Sequence, residues 1–215
     1  MATRETQNLI IDTAIDLFNE YGSRAVSTNR IADECELSRG NLHYHFRTKE
    51  EIIQAIFQRI DKEMEQDWYQ DHKHPSMEYM YFMFSRQIEL IWRYRFFYRE
   101  LNGLLQNDAR LKVLFMDNRK RRVREVELFF EQMVKAELVV EPQAPVTMAS
   151  LLEITWLISD QWLPHLDLHD KVLDEESIAD GYQLILQVFE HYFTPAARRQ
   201  QSRLLTTRLT RRGRP

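Results

Sequence analysis

The sequence predicts an all-α fold, and three observations support this prediction. Only five glycines and six prolines occur in 215 residues, so few positions interrupt regular structure. Apolar residues recur every three or four positions through most of the chain, which is the period of an amphipathic helix. A serine, threonine or aspartate precedes several of these segments, where its side-chain oxygen can accept a free amide of the first helical turn. The expected architecture is an N-terminal three-helix domain followed by a larger helical domain.

The N-terminal domain is predicted over residues 1–50 and begins with a helix over about 5–21. Leu17 and Phe18 belong to its apolar stripe, and Gly22 stands where a helix commonly ends in a left-handed residue. A helix with one apolar face packs that face against a neighbour. This helix is therefore expected to support the segment that follows it.

Residues 27–46 are predicted to form two short helices joined by a tight turn, a helix-turn-helix. The first helix is expected over roughly 28–34, and Ser38 can cap the second. Leu42 and Phe46, four residues apart, give the second helix a buried side. Its opposite face carries side chains that can donate to phosphates and base edges, as a DNA-binding helix does. These residues are Arg39, Asn41, His43, Tyr44 and Lys49.

Many residues among roughly the first 60 match the pattern of a known family. The matching residues are Ala14, Leu17, Phe18, Gly22, Ser27, Thr28, Ile31, Ala32, Leu37, Ser38, Gly40, Leu42, His45, Phe46, Lys49, Glu50 and Ile52. At these spacings they resemble the DNA-binding domain of the TetR (tetracycline-repressor-like) transcriptional regulators. One position differs, because the family's usual Leu-Tyr-x-His-Phe is Leu42-His43-Tyr44-His45-Phe46 here. A histidine thus replaces the tyrosine that commonly binds phosphate, which would make this contact sensitive to pH.

The resemblance implies which residues contact DNA. Arg39 would bind a guanine edge, and Asn41 an adenine or a phosphate. Tyr44 and Lys49 would bind phosphates, whereas His45 would either contact DNA or help to pack the helix. The expected DNA-contacting residues are Thr28, Asn29, Ser38, Arg39, Gly40, Asn41, His43, Tyr44, His45 and Lys49.

A linking helix is predicted over 51–74, because an apolar stripe continues to Trp68, beyond what a three-helix domain needs. The polar segment 71–75 ends in a proline, which disfavours helix at the preceding residue and marks a domain boundary. An effector-binding and dimerisation domain is then expected over 75–194. Its predicted helices lie at about 76–94, 95–106, 108–138, 146–163 and 175–193.

The last two of these helices are too apolar for the surface of a monomer and are predicted to form a homodimer interface. Gly181 would allow close helix approach there. A dimer also suits a helix-turn-helix protein, because two copies are needed to bind two half-sites of a palindromic DNA operator. The resemblance implies a four-helix bundle, with two helices from each subunit. It also implies a ligand cavity whose occupant changes the spacing of the two DNA-binding domains and so releases a repressor.

The effector is expected to be a largely apolar small molecule, because the candidate lining is aromatic and methionine-rich. The alternative is that these side chains form solid core, which is the more common role of such residues at helical spacing. The candidates are Trp68, Met80, Met83, Phe84, Trp92, Phe96, Phe129, Met133 and Trp156.

Two basic segments are predicted to lie outside the DNA-binding site. Residues 119–124 are expected to form a solvated helix face, since glutamates follow at spacings that allow helical ion pairs. The alternative, a second DNA site, is less favoured. Residues 195–215 are rich in arginine and contain no acidic residue, so they are expected to form a disordered tail, either inert or adding non-specific DNA affinity.

Composition narrows the possible classes of protein. The formal net charge of −4 does not favour nucleic-acid binding, so affinity must depend on where the basic residues point. No run of about 18 apolar residues and no secretion signal occur, so a cytoplasmic protein without membrane spans is expected. The single cysteine, Cys35, cannot form an internal disulfide and is expected to lie in the core.

Enzyme chemistry finds little support in the sequence, and no cofactor is predicted. There is no Gly-rich phosphate loop, nucleophile elbow or Glu-x-x-His pair. The nearest grouping of metal-binding residues, around His165 and His169, is interrupted by Pro164, so no metal site is predicted. The alternative to an effector-controlled repressor is a helical protein-interaction protein, or a non-specific DNA-binding protein, without an effector.

Overall fold

The computed structural model describes the backbone of residues 2–68 and 75–212 and the side chains of residues 3–65 and 75–204. Within these ranges the regular structure is helical, with one isolated β-bridge between Val139 and Phe193. The all-α prediction is therefore confirmed. The helices are α1 (Ala2–Tyr21), α2 (Thr28–Glu34), α3 (Arg39–His45), α4 (Lys49–Trp68), α5 (Met77–Arg93), α6 (Arg95–Arg99), α7 (Leu101–Asn107), α8 (Ala109–Lys135), α9 (Met148–Leu168), α10 (Glu175–Glu190) and α11 (Pro195–Arg212).

Side-chain caps define where many of these helices begin. The Ser27 hydroxyl accepts the amide of Arg30 at 3.2 Å, and the Asp108 carboxylate accepts the amide of Leu111 at 3.0 Å. Each cap satisfies a backbone donor that would otherwise lack a partner in the first turn. Other residues that cap in the same way are Ser38, Thr48, Ser76, Thr147 and Asp174.

The single helix predicted over 95–106 is two short helices, because the backbone leaves helical geometry at Glu100. Gly103 lies within the second of these helices, α7. At Glu100, the side chain binds the distant residue Ser23, which no local pattern reveals.

Helix α9 continues five residues beyond the predicted end at position 163, through Pro164 to Leu168. A proline inside a helix removes one backbone hydrogen bond and usually ends the helix. Here Leu163 and Leu166, on either side of Pro164, are buried, and this packing offsets the lost bond.

The C-terminal segment is helical over Pro195–Arg212, so the prediction of a disordered tail from residue 195 is wrong for this range. Ala197 is fully buried. The side-chain amide of Gln201 donates to the hydroxyl of Tyr81 and to the carboxylate of Glu190, each at 2.9 Å. These anchors order a segment whose composition alone suggested disorder.

The described residues form two compact units. The first comprises the residues up to Met64 together with Leu90–Asn118. The second comprises the described residues of Glu65–Glu89 together with those from Arg119 onward. These units divide the chain at other points than the predicted domain borders at residues 50 and 74, and positions 71–74 of the expected boundary segment lie outside the described residues.

The core of the first unit joins the helix-turn-helix region to residues that follow much later in the chain. Phe18 packs on Phe96 with ring centroids 5.0 Å apart, and Phe57 stacks on Phe97 at 5.4 Å. Both phenylalanines of α6 are almost completely buried. The N-terminal helices therefore share one hydrophobic core with α6.

The second unit is organised around the packing of α9 on α10. A Cβ atom placed on Gly181 would lie 2.5 Å from Trp162 Cδ1, so only glycine fits at this crossing. The indole nitrogen of Trp162 donates to the carbonyl of Ser177 at 2.7 Å. In the same unit, Phe130 of α8 stacks on Phe189 of α10, with 4.3 Å between ring centroids. The predicted close helix approach at Gly181 is thus present within one chain.

Across residues 2–68 and 75–212, every helix is either too short or too polar to span a lipid bilayer.

Candidate DNA-binding site

Helix α3 has one buried side and one exposed side, as its spacing predicted. Leu42 is almost completely buried, and Phe46, directly after the helix, is also in the core. The other side of α3 is open to solvent, with 79% of Tyr44 exposed. The predicted DNA-contacting residues that are exposed on or beside this helix are Ser38, Arg39, Gly40, Asn41, His43 and Tyr44.

Charge on α3 favours an anionic partner even though the whole chain is acidic. The seven residues of α3 include Arg39 and two histidines and no aspartate or glutamate. The N-terminal end of a helix also presents free amides and the positive end of the helix dipole. Phosphate oxygens would therefore be attracted to this end of α3.

Gly40 lies on the exposed side of the first turn of α3. Apart from its chain neighbours and the adjacent backbone of α3, a Cβ atom placed on it would meet no atom of the described residues within 4 Å. This position is therefore a gap in the surface, and glycine is not required by packing within the chain. Its effect is to leave the backbone accessible to an external molecule.

Lys49, which is predicted to bind phosphate, also has partners within the chain. Its ammonium donates to the carbonyls of Ser23 at 2.6 Å and Val26 at 3.0 Å. The side chain is half-buried and points to the connection between α1 and α2. Two of its three donors thus hold that connection against the start of α4, which leaves one donor for another partner.

The two histidines of α3 have different surroundings. His43 is exposed, and its Nδ1 lies 3.2 Å from the carbonyl oxygen of Arg47. His45 is half-buried, with its ring edge-on to Tyr44 at a centroid distance of 5.2 Å. The two open alternatives for His45 thus remain, since it both packs against Tyr44 and keeps part of its surface exposed.

The supporting helix α2 places Asn29 in solvent and Thr28 half in the interior. Next to them, the guanidinium of Arg30 stacks on the ring of Tyr21, 3.8 Å from its centroid. Sequence reasoning missed this cation, because the two residues are joined by a connection whose course the pattern does not give. Arg30 is an additional candidate for phosphate binding.

A second feature missed by sequence reasoning fixes the connection between α1 and α2. The amide of Ser23 donates to Glu100 Oε1 at 2.8 Å, and the Ser23 hydroxyl donates to Glu100 Oε2. Ser23 is buried, with 3% of its surface exposed. Glu100 is 77 residues away in sequence and lies between α6 and α7. This pair positions the helix-turn-helix within the first unit.

The residues proposed for an effector pocket are divided between the two units. Phe96 and Trp92 belong to the first unit, where Phe96 packs on Phe18 and the guanidinium of Arg95 covers Trp92 at 4.4 Å. The side chain of Trp68 lies outside the described residues. The candidates in the second unit are Met80, Met83, Phe84, Phe129, Met133 and Trp156.

Within the second unit, the candidate residues differ in burial. Met80, Phe129 and Met133 are buried, as core residues are. Met83, Phe84 and Trp156 are half-buried, and Phe84 packs against Tyr182 with ring centroids 5.6 Å apart. Phe96, which packs on Phe18, fits the solid-core alternative. The burial of Met80, Phe129 and Met133 fits both alternatives, because a side chain that lines an enclosed site is buried as well.

The basic segment 119–124 is only partly a solvated face. Lys120, Arg121 and Arg124 are exposed, but Arg122 is 3% exposed. The prediction of helical ion pairs holds for Arg122, whose Nη1 lies 2.8 Å from Glu125. Solvation of the whole segment is wrong, because Arg122 falls on the side of α8 that faces the interior.

Large apolar side chains remain exposed on α9 and α10 and between them. Leu157 is 57% exposed, and Leu168 is 79% exposed. Exposed apolar groups on neighbouring helices commonly mark an association surface. Other exposed members of this surface are Ile154, Val172 and Leu184.

Comparison with known proteins finds two family models that together match most of the chain. Residues 10–56 match the family model described as bacterial regulatory proteins, tetR family. Residues 50–200 match the model described as bacterial transcriptional repressor. The second match alone covers more than half of the chain.

Among individual curated relatives, a match over a shorter stretch is found. The transcriptional regulator QacR of Staphylococcus aureus is 36% identical over 59 residues, which are 27% of this chain and 31% of QacR. The chain thus spans less than a third of the length of this curated relative.

Solved structures match over a greater length. A TetR-family transcriptional regulator from Marinobacter aquaeolei is 29% identical, with a TM-score of 0.81 over 92% of this chain and 96% of that one. The structure of AibR in complex with isovaleryl coenzyme A and operator DNA matches with a TM-score of 0.62 over 86% of this chain and 98% of AibR. Its identity of 19% shows a common fold only.

Proposed function

Because this chain belongs to the TetR family of bacterial transcriptional regulators, we propose that it is a homodimeric repressor. It binds a palindromic DNA operator through α3 and leaves it when a small molecule binds to the second unit. The family consists of transcriptional regulators rather than enzymes, and no catalytic role is proposed. Since its target is DNA, the protein acts in the cytoplasm.

The exposed polar face of α3 is the observation that carries this proposal. Leu42 and Phe46 are buried and anchor the helix, so its opposite face is directed to solvent. Arg39, Asn41 and Tyr44 then project from the exposed side, and each can donate hydrogen bonds to base edges or phosphates. A purely structural helix-turn-helix would not need this arrangement.

Dimer formation supplies specificity. One recognition helix contacts a few base pairs in one major groove, whereas two copies related by a two-fold axis contact half-sites about 34 Å apart. The exposed apolar surface of α9 and α10 supports association of two copies. The operator of such a dimer is palindromic because the protein is symmetric.

Release by an effector follows from linkage. A ligand can bind more tightly to the free dimer than to the DNA-bound dimer. At saturation, such a ligand weakens operator binding by a factor equal to the ratio of its two affinities. The structural similarity to AibR, which was solved with isovaleryl coenzyme A and operator DNA, supports a ligand site in this fold.

Selection of bound duplexes from a random library tests the DNA-binding role. The purified protein is expected to enrich a palindromic sequence, with affinity that falls as salt rises. Arg39→Ala should cost about 1–3 kcal/mol of binding free energy, since it removes a base or phosphate contact. Arg110→Ala removes an exposed arginine of α8 and serves as the control.

Two results would contradict the proposal. If no sequence is enriched, the protein is not a specific regulator, and salt-dependent binding to any duplex would then indicate a non-specific DNA-binding protein. If Arg39→Ala binds the selected duplex as tightly as the wild type and the Arg110→Ala control do, α3 is not the recognition helix.

A further inference from the structure

The middle of α8 buries a charge. Arg122 is 3% exposed, although it belongs to a segment with four other cations, Arg119, Lys120, Arg121 and Arg124. Arginine is rarely buried unless its donors are paired, because its charge loses the hydration of water. The hydrogen-bond partners of the Arg122 guanidinium therefore indicate the role of this residue.

The pairing of Arg122 is incomplete among the described residues. Its Nη1 lies 2.8 Å from Glu125 Oε2, one turn further along α8. Within residues 3–65 and 75–204, neither of these two atoms makes a hydrogen bond, and the buried Nε of Arg122 has no acceptor. A buried donor without an acceptor is costly, and it commonly marks a place that an additional group occupies.

A second buried donor on the neighbouring helix is in the same situation. The indole nitrogen of Trp156, on α9, has no acceptor in the part of the chain that the structure describes. The guanidinium of Arg119 lies over the Trp156 ring, 4.4 Å from its centroid, and donates to Asp160 one turn further along α9. Arg119 and Trp156 thus bring α8 and α9 together.

Helical geometry places Arg122 beside this contact. Residues three apart on a helix are neighbours on its surface, so Arg122 lies one turn from Arg119. Within the second unit, the donors of Arg122 and Trp156 that lack acceptors among the described residues therefore belong to α8 and α9, the two helices that the Arg119 contacts join. Both donors lack the same kind of partner, which is an acceptor.

We propose that Arg122 and Trp156 bind the acidic group, a carboxylate or a phosphate, of an apolar effector. An anion supplies acceptors to both donors, and its bonds to a guanidinium are stronger than those of a neutral acceptor. The four other cations of the segment favour negative charge here, whereas Glu125 and Asp160 oppose it. The proposal rests on the effector response included in the proposed function.

The buried side of α8 supports an apolar body for this ligand. Phe129 and Met133 lie seven and eleven residues after Arg122, so they fall on the same side of the helix, and both are buried. Arg122 is therefore a cation at one end of an apolar stripe. This pattern fits a molecule with one acidic end and a hydrocarbon body.

Titration calorimetry on the full chain without DNA tests the site with three probes of equal chain length. Octanoate and octyl phosphate each carry an acidic group, and octanamide is a neutral control. We expect at least one acid to bind at least about tenfold more tightly than octanamide, as expected for a charge-assisted hydrogen bond. The acid that binds more tightly identifies the group as carboxylate or phosphate.

Variants assign the binding to these residues. Arg122→Met and Trp156→Phe should each weaken binding of that acid at least about tenfold and leave octanamide unaffected. Lys135→Met removes an exposed cation from the same helix but outside residues 119–124, and it should bind as the wild type does. If Arg122→Met does not fold, as judged by circular dichroism, Trp156→Phe decides, because phenylalanine retains the ring that Arg119 covers.

The proposal is overturned if octanamide binds as tightly as both acids, if no probe binds, or if neither variant weakens acid binding. Because the titration contains no DNA, these results do not bear on operator recognition, which the duplex selection tests separately. Conversely, a failed duplex selection would contradict operator binding but would not affect the assignment of Arg122 and Trp156 to a ligand site.

Discussion

At the scale of single residues, the role of a charged side chain depends on where it points. Lys49 follows the recognition helix closely in sequence and so was expected to bind phosphate, but its ammonium donates to the carbonyls of Ser23 and Val26. Those carbonyls belong to the connection between α1 and α2, outside both helices. Lys49 therefore contributes first to the stability of the helix-turn-helix.

We expect Lys49→Met to lower the free energy of unfolding by about 1–3 kcal/mol, because two hydrogen bonds from a charged donor are lost. Urea unfolding followed by circular dichroism measures this change. Lys62→Met, on the exposed side of the same helix, is the matched control and should stay close to the wild type. A variant at position 49 that is fully stable but binds DNA poorly would instead assign Lys49 to phosphate.

Tyr94 is a buried residue whose ionisation should limit stability at alkaline pH. Burial raises the pKa of its hydroxyl, and the hydrogen bond to Glu63 at 2.9 Å raises it further. In the unfolded chain a tyrosine ionises near pH 10. The folded state therefore holds this proton more tightly, and its stability should fall as pH rises above about 10.

Comparison with Tyr94→Phe isolates this effect. The variant loses one hydrogen bond, which costs about 1 kcal/mol at neutral pH, but it lacks the ionisable group. Its stability should therefore decline less steeply than that of the wild type between pH 9 and pH 11 or so. Parallel stability curves for the two proteins in that range would exclude Tyr94 as the cause.

At the scale of elements, sequence pattern predicted most helices, because caps and apolar periodicity are local properties. Helix α2 was expected over 28–34 and is found there, and Ser38 caps α3 as expected. The exposed face of α3 also followed from spacing alone. Local rules failed where distant residues decide, as at Glu100, which binds Ser23 across 77 positions, and in α11, which Gln201 anchors to Tyr81.

Two glycines within helices should respond oppositely to alanine. At Gly181 the added methyl group would overlap Trp162, so Gly181→Ala should destabilise the protein by about 1–3 kcal/mol. At Gly40 there is open space, and Gly40→Ala should stabilise α3 by about 0.5–1 kcal/mol. Thermal unfolding of the two variants side by side measures both effects.

The Gly40 variant also tests the close approach of backbone to DNA. Although it is more stable, Gly40→Ala should bind the selected operator roughly tenfold more weakly, because the methyl group stands between α3 and its partner. Unchanged operator binding would mean that this turn does not touch DNA. Destabilisation instead of stabilisation would contradict the open surroundings of Gly40.

At the scale of the whole molecule, α9 and α10 carry apolar side chains that a single chain leaves exposed to solvent. Much of this helix pair is already packed within the chain, through Gly181 and Trp162. Yet Ile154, Leu157 and Leu184 remain exposed. A second copy that covers them would bury apolar area worth roughly 25 cal/mol per Å².

Leu157→Glu should therefore convert the dimer to a monomer, because it places a charge in the apolar interface. Analytical ultracentrifugation measures the change, and operator affinity should fall together with the dimer. Leu128→Glu, at an exposed leucine of α8, introduces the same charge elsewhere and serves as the control. A Leu157→Glu protein that remains dimeric would place the interface on another surface.

The shared core of the first unit has a consequence for synthesis of the chain. Phe18 and Phe57 are covered by Phe96 and Phe97, which the ribosome adds much later. A nascent chain that ends before these residues therefore displays an unfinished apolar surface, and chaperones bind such surfaces. For the same reason, a gene fusion that joins this helix-turn-helix to another sensor must carry residues 90–118 with it.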